Sequence, residues 1–505
     1  MLRIRLVTTI VQNIFSQEPI KTNQGNKIDL FAQLLCCCCV LTHGWNKPAR
    51  IATRKFQLNY GVTGFVGRAL LEKLLRGCPE VAKVFVLVRS KRQKSGEERL
   101  REMFQAELFK NIRSHNPDLL EKVIPVNGDV TFKGLGLRPE DSEALREVSI
   151  IFHSAANVNF CAGFQNFLAI NVAGTKHLLE FAKELKNLKA LVYVSTTFSN
   201  SDRLEIKEKI YPSRINPHLA LQLYSELPPQ ILDAISPKLL GDHKLEYSFS
   251  KHIAEGLIQE SSPFLPICVV RPAVVGTAYE EPFPGWVDNY TGFMACLAAF
   301  SKGIARVYYT NKKLTGDIVP IDYAVNLTLA AAMSVGSRRQ DLKSPLVYNL
   351  STSDCPLIGL PRLIIDAARK TPPNQIVWYP SLQFVSNRTV FLILDFFFHY
   401  IPAVLADGAM SFLTSKPEFG FVKIHQKLRK LADITAKATE VEYSIRTENT
   451  RALYRQLTPG DQESFHFDIW GIDPAEYMRR SLYGMRRYAA REKDGDLPKA
   501  RANLD

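Results

Sequence analysis

A chain of 505 residues that is 46% hydrophobic and 23% charged has enough apolar content to bury a large core. That excludes a disordered or fibrous protein and suggests roughly two to three domains. The formal charge of +14 suits a polyphosphate ligand or an anionic membrane face. Nucleic acid is not an expected partner, because the lysines and arginines are mixed with acids and form no dense run interleaved with aromatics.

In chain order, residues 1–54 show no sustained periodicity and read as an atypical N-terminal extension outside the fold. Within it, residues 30–41 (LFAQLLCCCCVL) are apolar but too short to cross a bilayer and lack a small-residue cleavage site. Cys36, Cys37, Cys38 and Cys39 stand together there; Cys78, Cys161, Cys268, Cys296 and Cys355 are solitary. This spacing matches neither a zinc site nor a secreted disulfide framework, so reduced thiols in a cytosol-facing protein are expected, and no metal.

From Phe56 onward, short apolar runs alternate with helical patterns. Residues 84–88, 123–126, 150–153, 191–194 and 267–270 read as buried strands; 69–76 and 175–185 read as amphipathic helices. Strands without polar alternation, separated by helices, indicate an α/β fold with a doubly wound parallel Rossmann sheet. This domain is expected over 55–360, followed by a smaller, mainly helical C-terminal domain over 361–505. The latter holds a strongly apolar segment, 389–405 (TVFLILDFFFHYIPAVL), interrupted by Asp395, His399 and Pro402. Three readings stay open for it: a short span, a re-entrant or interfacial helix, or a buried helix.

The run Gly61-Val62-Thr63-Gly64-Phe65-Val66-Gly67 follows a candidate strand and opens a helix. Glycine spacing of this kind lets backbone approach a pyrophosphate, with the helix N-terminus presenting free N–H groups to it. Gly61, Thr63, Gly64, Phe65, Val66 and Gly67 are therefore candidate cofactor contacts. Arg89 ends the next strand, where an NAD-preferring site would carry a carboxylate; a guanidinium there, with Lys91 and Arg92 nearby, favours NADPH through its 2′-phosphate. Asp129, at the end of the third strand, is placed to reach the adenine or to serve as a turn residue. Ala155, after the fourth strand, is a further candidate cofactor contact, as are Tyr247 and Lys251 below.

Tyr247 and Lys251 stand four apart at the start of a helical pattern, which puts both on one face. A phenol ordinarily has a pKa near 10, and a neighbouring ammonium can lower it so that it donates a proton to a nascent alkoxide. Thr196 ends a strand and is the candidate hydrogen-bond donor to the substrate carbonyl, with Ser195 the alternative. Asn171, on a helix between Ala155 and Thr196, completes the candidate catalytic set.

This order of motifs resembles the extended short-chain dehydrogenase/reductases, and more narrowly the fatty acyl-CoA reductases. The narrower likeness rests on 63–76 (TGFVGRALLEKLLR), 194–200 (VSTTFSN), 247–255 (YSFSKHIAE), 281–289 (EPFPGWVDN), 319–326 (VPIDYAVN) and 347–351 (VYNLS). It extends to 399–403 (HYIPA). The resemblance implies reduction of a long-chain acyl-CoA to a primary alcohol with two NADPH through a bound aldehyde, for wax, pheromone or ether-lipid synthesis. It implies Tyr247 as proton donor, Lys251 as its partner and ribose ligand, and Thr196 as carbonyl donor. Membrane lipid and a second copy of the chain are the further partners expected, at the endoplasmic reticulum or peroxisome. A non-catalytic paralogue, or a reductase of a sterol or nucleotide sugar, is the alternative. One departure stands out: Tyr60 occupies the position before the glycine turn where the family usually has a small residue, which predicts strain in the phosphate loop.

Overall fold

The computed structural model describes residues 56–90, 93–160, 162–310, 316–337, 344–413 and 420–504, with backbone alone for 56–60 and 412–413. The expected extension 1–54 with its cysteine run, and Lys91, Arg92 and Cys161, lie outside the described residues.

Seven strands form one parallel sheet: β1 (Phe56–Tyr60), β2 (Lys83–Val88), β3 (Val123–Asn127), β4 (Ile150–His153), β5 (Ala190–Val194), β6 (Ile267–Pro272) and β7 (Leu346–Leu350). Their spatial order is β7-β6-β5-β4-β1-β2-β3. The chain winds outward from β1 in one direction, then returns through β4 in the other. The strand ends beside β1 and β4 thus mark the switch point at which such sheets bind ligands. Every residue of β4, β5 and β6 is buried, as their unbroken apolar runs require when helices cover both faces. Despite its polar sequence, β1 takes the central position and pairs in register with both β2 and β4. The anticipated strain at Tyr60 does not prevent closure of the turn that follows, where the Gly64 N–H donates to the Gly61 carbonyl at 2.7 Å.

Helices α1 (Phe65–Gly77), α2 (Gly174–Lys183), α3 (Glu246–Ser261) and α4 (Ile321–Gly336) share one buried core with the sheet. All residues of α4 from Ile321 to Val335 are buried, so its sequence carries little amphipathic signal.

A second apolar core joins residues 287–308 to parts of 357–485, including Phe300, Tyr308, Ile364, Phe391, Met478 and Leu482. The chain then returns, since Leu453, Phe465, Phe467 and Ile469 belong to the first core. Over this second core lies α5, a continuous helix of three segments: Arg388–Asp395, the wider π-helical turn Phe396–Tyr400, and Ile401–Leu413. It is followed by α6 (Phe421–Ala438). The 24 residues 388–411 are long and apolar enough to cross a membrane, yet only 11% of their most apolar window is buried. The buried-helix reading of 389–405 therefore does not hold. Ile393, Phe396, Phe397 and Leu405 are all exposed.

Candidate active site

The sheet register brings the predicted residues to one edge. Tyr60 pairs with His153, and His153 with Tyr193. Two strand spacings, about 10 Å, thus separate the start of the glycine turn from Tyr193. Gly61 adopts φ +106°, which only glycine takes without strain, and Gly64 caps α1 with no side-chain hydrogen bond. The first N–H groups of α1, from Phe65, Val66 and Gly67, are thereby left for an anionic ligand. Phe65 stacks on Trp286 at 5.3 Å, and Arg68 pairs with Asp288 at 2.7 Å, so the 281–289 motif braces the N-terminal turn of α1. Thr63 is half-buried within the turn and Ala155 is fully buried beyond β4.

Arg89 and Asp129 follow the ends of β2 and β3 and pair with one another at 2.9 Å. Asp129 also accepts the Thr131 N–H and hydroxyl, each at 2.9 Å, so it is both a turn residue and the anchor of Arg89. The pairing uses one of five guanidinium donors and leaves Arg89 partly exposed.

On α3, Lys251 is buried and its Nζ donates to the Val194 carbonyl at 2.7 Å while lying 4.6 Å from the centre of the Tyr193 ring. Burial pulls its ammonium down to about 7, against the opposing attraction of Glu255. Tyr247 packs edge-on against Phe160 at 5.4 Å, and burial holds its phenol above the ordinary value. The expected depression of the phenol by Lys251 is thus not found in this arrangement: desolvation dominates, and the ammonium is engaged by the Val194 carbonyl.

Thr196 and Ser195 are sorted by their partners. The Ser195 hydroxyl donates to Glu255 at 2.6 Å, whereas Thr196 Oγ1 accepts the Phe198 N–H at 3.3 Å. A hydroxyl that accepts a backbone donor keeps its own proton to donate, so Thr196 has the free donor of the two. Asn171 lies on a π-helical turn, Leu168–Ala173, with both ends of its amide engaged: Oδ1 accepts the Asn157 N–H and Nδ2 donates to Ser250 Oγ, both at 2.8 Å. Ser250 in turn donates to the Tyr247 carbonyl at 2.7 Å. Asn171 thereby fixes the turn of α3 that carries Tyr247.

Sequence reasoning missed the support beneath this site. Glu255, one turn beyond Lys251, forms a bidentate pair with the fully buried Arg271 of β6, at 2.9 and 2.6 Å. Burial pushes the Glu255 carboxyl up, but Arg271 and the Ser195 hydrogen bond outweigh it and hold the group below its usual range. Arg271 also donates to the carbonyls of Lys207 and Lys209. Asp322 was likewise missed; it accepts the N–H groups of Tyr279, Glu280 and Glu281 in succession and shapes the loop entering the Trp286 motif. The quoted stretches 247–255 and 319–326 contained both acids but gave no sign of their partners.

A glycine turn at the switch point of a doubly wound sheet, beside a Tyr-x-x-x-Lys helix and a strand-end hydroxyl, defines a dinucleotide-dependent reductase of the short-chain dehydrogenase type. A family model described as "Male sterility protein", of the NAD-binding kind, matches residues 60–328, and a second of the same description matches residues 398–492. Fatty acyl-CoA reductase 1 of Rattus norvegicus is 34% identical over 449 residues, covering 88% of this chain and 86% of its own length. Fatty acyl-CoA reductase wat of Drosophila melanogaster is 32% identical over 444 residues, covering 87% and 85%. Among solved structures, the reductase domain of a nonribosomal peptide synthetase from Mycobacterium tuberculosis shares the fold, with TM-score 0.55 and 18% identity over 84% of this chain and 90% of that one. The chain belongs to the fatty acyl-CoA reductase family, and its N-terminal domain is a Rossmann-like NAD(P)-binding domain.

Proposed function

We propose that this enzyme reduces a long-chain acyl-CoA to the primary alcohol, with NADPH as the reductant, Tyr247 as proton donor, Lys251 as its cationic partner and Thr196 as the carbonyl-oxygen donor. The observation that carries the reading is the α3–β5 junction: Lys251 reaches the end of β5 beside a Thr196 hydroxyl whose proton is uncommitted. Two hydride equivalents from the nicotinamide are needed, one to expel coenzyme A as the thiol and leave the aldehyde, the second to give the alcohol. Each reduction also consumes one proton. Thr196 polarises the carbonyl oxygen, and the phenol of Tyr247 supplies the proton to it as negative charge develops. Lys251 would hold the nicotinamide ribose, and its ammonium beside the phenol would favour the phenolate and so lower the barrier to proton donation by Tyr247. Asn171 acts through Ser250 as a positioning residue.

The residues present fit a dinucleotide. The turn at Gly61, the uncapped start of α1 and the Arg89 guanidinium together match a pyrophosphate and a 2′-phosphate. The outward face of α5 supports attachment to a lipid surface, because Ile393, Phe396, Phe397 and Leu405 are exposed on it while Asp395 and His399 turn inward.

Purified protein incubated with NADPH and hexadecanoyl-CoA is expected to release one free thiol and one hexadecanol for every two NADPH oxidised. Thiol titration and gas chromatography give both counts. Absence of thiol release would overturn the assignment, and NADH serving equally well would overturn the choice of cofactor.

A further inference from the structure

Between α5, α6 and residues 303–308 lies a cavity of about 290 Å³. That is near the lower bound of ordinary ligand pockets, roughly 300 Å³. None of Thr196, Tyr247 and Lys251 lines it. Its walls run from buried to exposed. Phe391, Ala403 and Ile424 are buried, whereas Trp378 and Phe398, also in the lining, are 55% and 44% exposed. The cavity therefore opens to the surface beside those two rings. Ile424, Leu428 and Ala432 follow one another at one-turn spacing on α6 and lay a single apolar stripe along the wall. The carboxylate in the lining, Asp395, is answered within the protein by His399 and His425, each at 2.9 Å, and by Arg429 at 3.7 Å.

The mouth is cationic. The guanidinium carbon of Arg306 lies 4.4 Å from the centre of the Trp378 ring and 5.1 Å from that of Phe398. The Arg306 backbone N–H donates to His399 Nε2 at 3.0 Å, and its Nη2 donates to the Phe398 carbonyl at 2.8 Å. These bonds tie Arg306 to α5 and leave most of its guanidinium donors open. Next to Trp378, the exposed Tyr379 ring carries Arg369 in the same way, at 5.0 Å. Among the described residues, neither guanidinium has a carboxylate partner. Exposed Trp and Tyr rings beside unpaired arginines suit the headgroup level of a bilayer, where a guanidinium can grip a phosphate with two parallel hydrogen bonds. Two unanswered cations at one mouth favour a net negative headgroup over a zwitterionic one.

We propose that this cavity is a phospholipid site: it takes one acyl tail of an anionic membrane phospholipid, whose phosphate pairs with Arg306 at the mouth. The site rests on the lipid-surface attachment proposed for α5, to which Phe398 belongs, and gives that attachment a headgroup preference. The tail replaces water against the apolar stripe of α6, while the phosphate meets charge that the protein itself leaves unanswered.

Native mass spectrometry of the full chain in detergent micelles, supplied with palmitoyl-oleoyl phosphatidylglycerol, tests this. One such lipid per chain is expected to be retained, and phosphatidylcholine with the same tails about tenfold less. Arg306→Gln should weaken retention about tenfold, with Arg306→Lys recovering part of it. Ala403→Phe, which fills the cavity, should abolish retention. Phe397 is not in the lining, so Phe397→Glu should lose flotation with vesicles yet keep the lipid in detergent; unchanged flotation with the lipid kept would sink the attachment by α5 and leave the site standing. Equal retention of the two phospholipids would overturn the inference, as would equal retention by the parent and Ala403→Phe. Displacement by palmitoyl-CoA without NADPH would overturn it by giving the cavity to substrate, and a dimer that retains no lipid by giving the face to a second copy. Should Ala403→Phe fold poorly, phosphatidylglycerol with a diazirine near the end of one tail decides on the unaltered protein: label within 424–432 supports the site, and label confined to the outer face of α5 refutes it.

Discussion

At the crevice, the chain buries charge and surrounds it with fixed partners; along α5 it exposes aromatic rings and turns Asp395 inward. Glu255 lies among Arg271, Ser195 and Ser199, all buried. Asp395 lies among His399, His425 and the half-exposed Arg429, beneath a face of bare phenylalanines. The first arrangement is rigid and suits chemistry that needs atoms held in place. The second resists water only if something apolar covers it, and so reports what surrounds the protein. Damage to the crevice should cost turnover or folding, and damage to α5 should cost location.

The largest effect that would sharpen this contrast is on turnover. Tyr247→Phe should lower alcohol formation by a factor of about 10² to 10⁴ while leaving NADPH binding and melting temperature intact; unchanged turnover would remove the phenol from the mechanism. Next comes the support. Arg271→Met strands the Glu255 carboxylate in the core and should destabilise by about 3–5 kcal/mol, measured by denaturant unfolding, with Glu255→Leu added to it recovering much of the loss. Arg89→Ala should reduce the preference for NADPH over NADH by on the order of tenfold or more in kcat/KM, since a charge-assisted pair is removed.

A smaller effect follows from Lys251. Its folded pKa, about 7, lies below the ordinary lysine value, so between these pH values the unfolded chain binds more protons than the folded one. Stability therefore rises with pH across that window, and the cost of the buried ammonium is full below it. Compared with Lys251→Met, the cofactor-free enzyme should gain melting temperature from pH 7 to 9; parallel profiles would contradict it. Smallest for stability is Phe397→Glu on α5, expected to change unfolding free energy by no more than about 0.5 kcal/mol, yet to abolish flotation with phospholipid vesicles. If Phe397→Glu unfolds the protein instead, the contrast between the two regions fails.

Much of the sheet was legible because buried parallel strands announce themselves as unbroken apolar runs. The run at 150–153 coincides with β4, and 84–88 differs from β2 by one residue. β7 was not identified as a strand, and the reason is chemical. Its Asn349 is a buried polar residue spent on the carbonyls of Ile206 and Arg446, which breaks the apolar pattern. The site was legible in its local spacings, such as four residues from Tyr247 to Lys251. It was not legible where two distant elements meet: nothing in the sequence links Glu255 to Arg271 or Asp129 to Arg89 as partners. Asn171 shows the same limit, since its amide binds Asn157 and Ser250, partners that no spacing in the sequence announces.

The two cores exchange segments of chain. Residues 287–308 leave the sheet region to fill the second core, and Leu453, Phe465, Phe467 and Ile469 come back to fill the first. A chimera that swaps the helical region between relatives at a single junction near residue 360 would therefore inherit mismatched filling in both cores. Grafting substrate preference from one family member to another calls for five coordinated crossovers, with 287–308 travelling alongside the helices and 453–469 staying behind with the sheet.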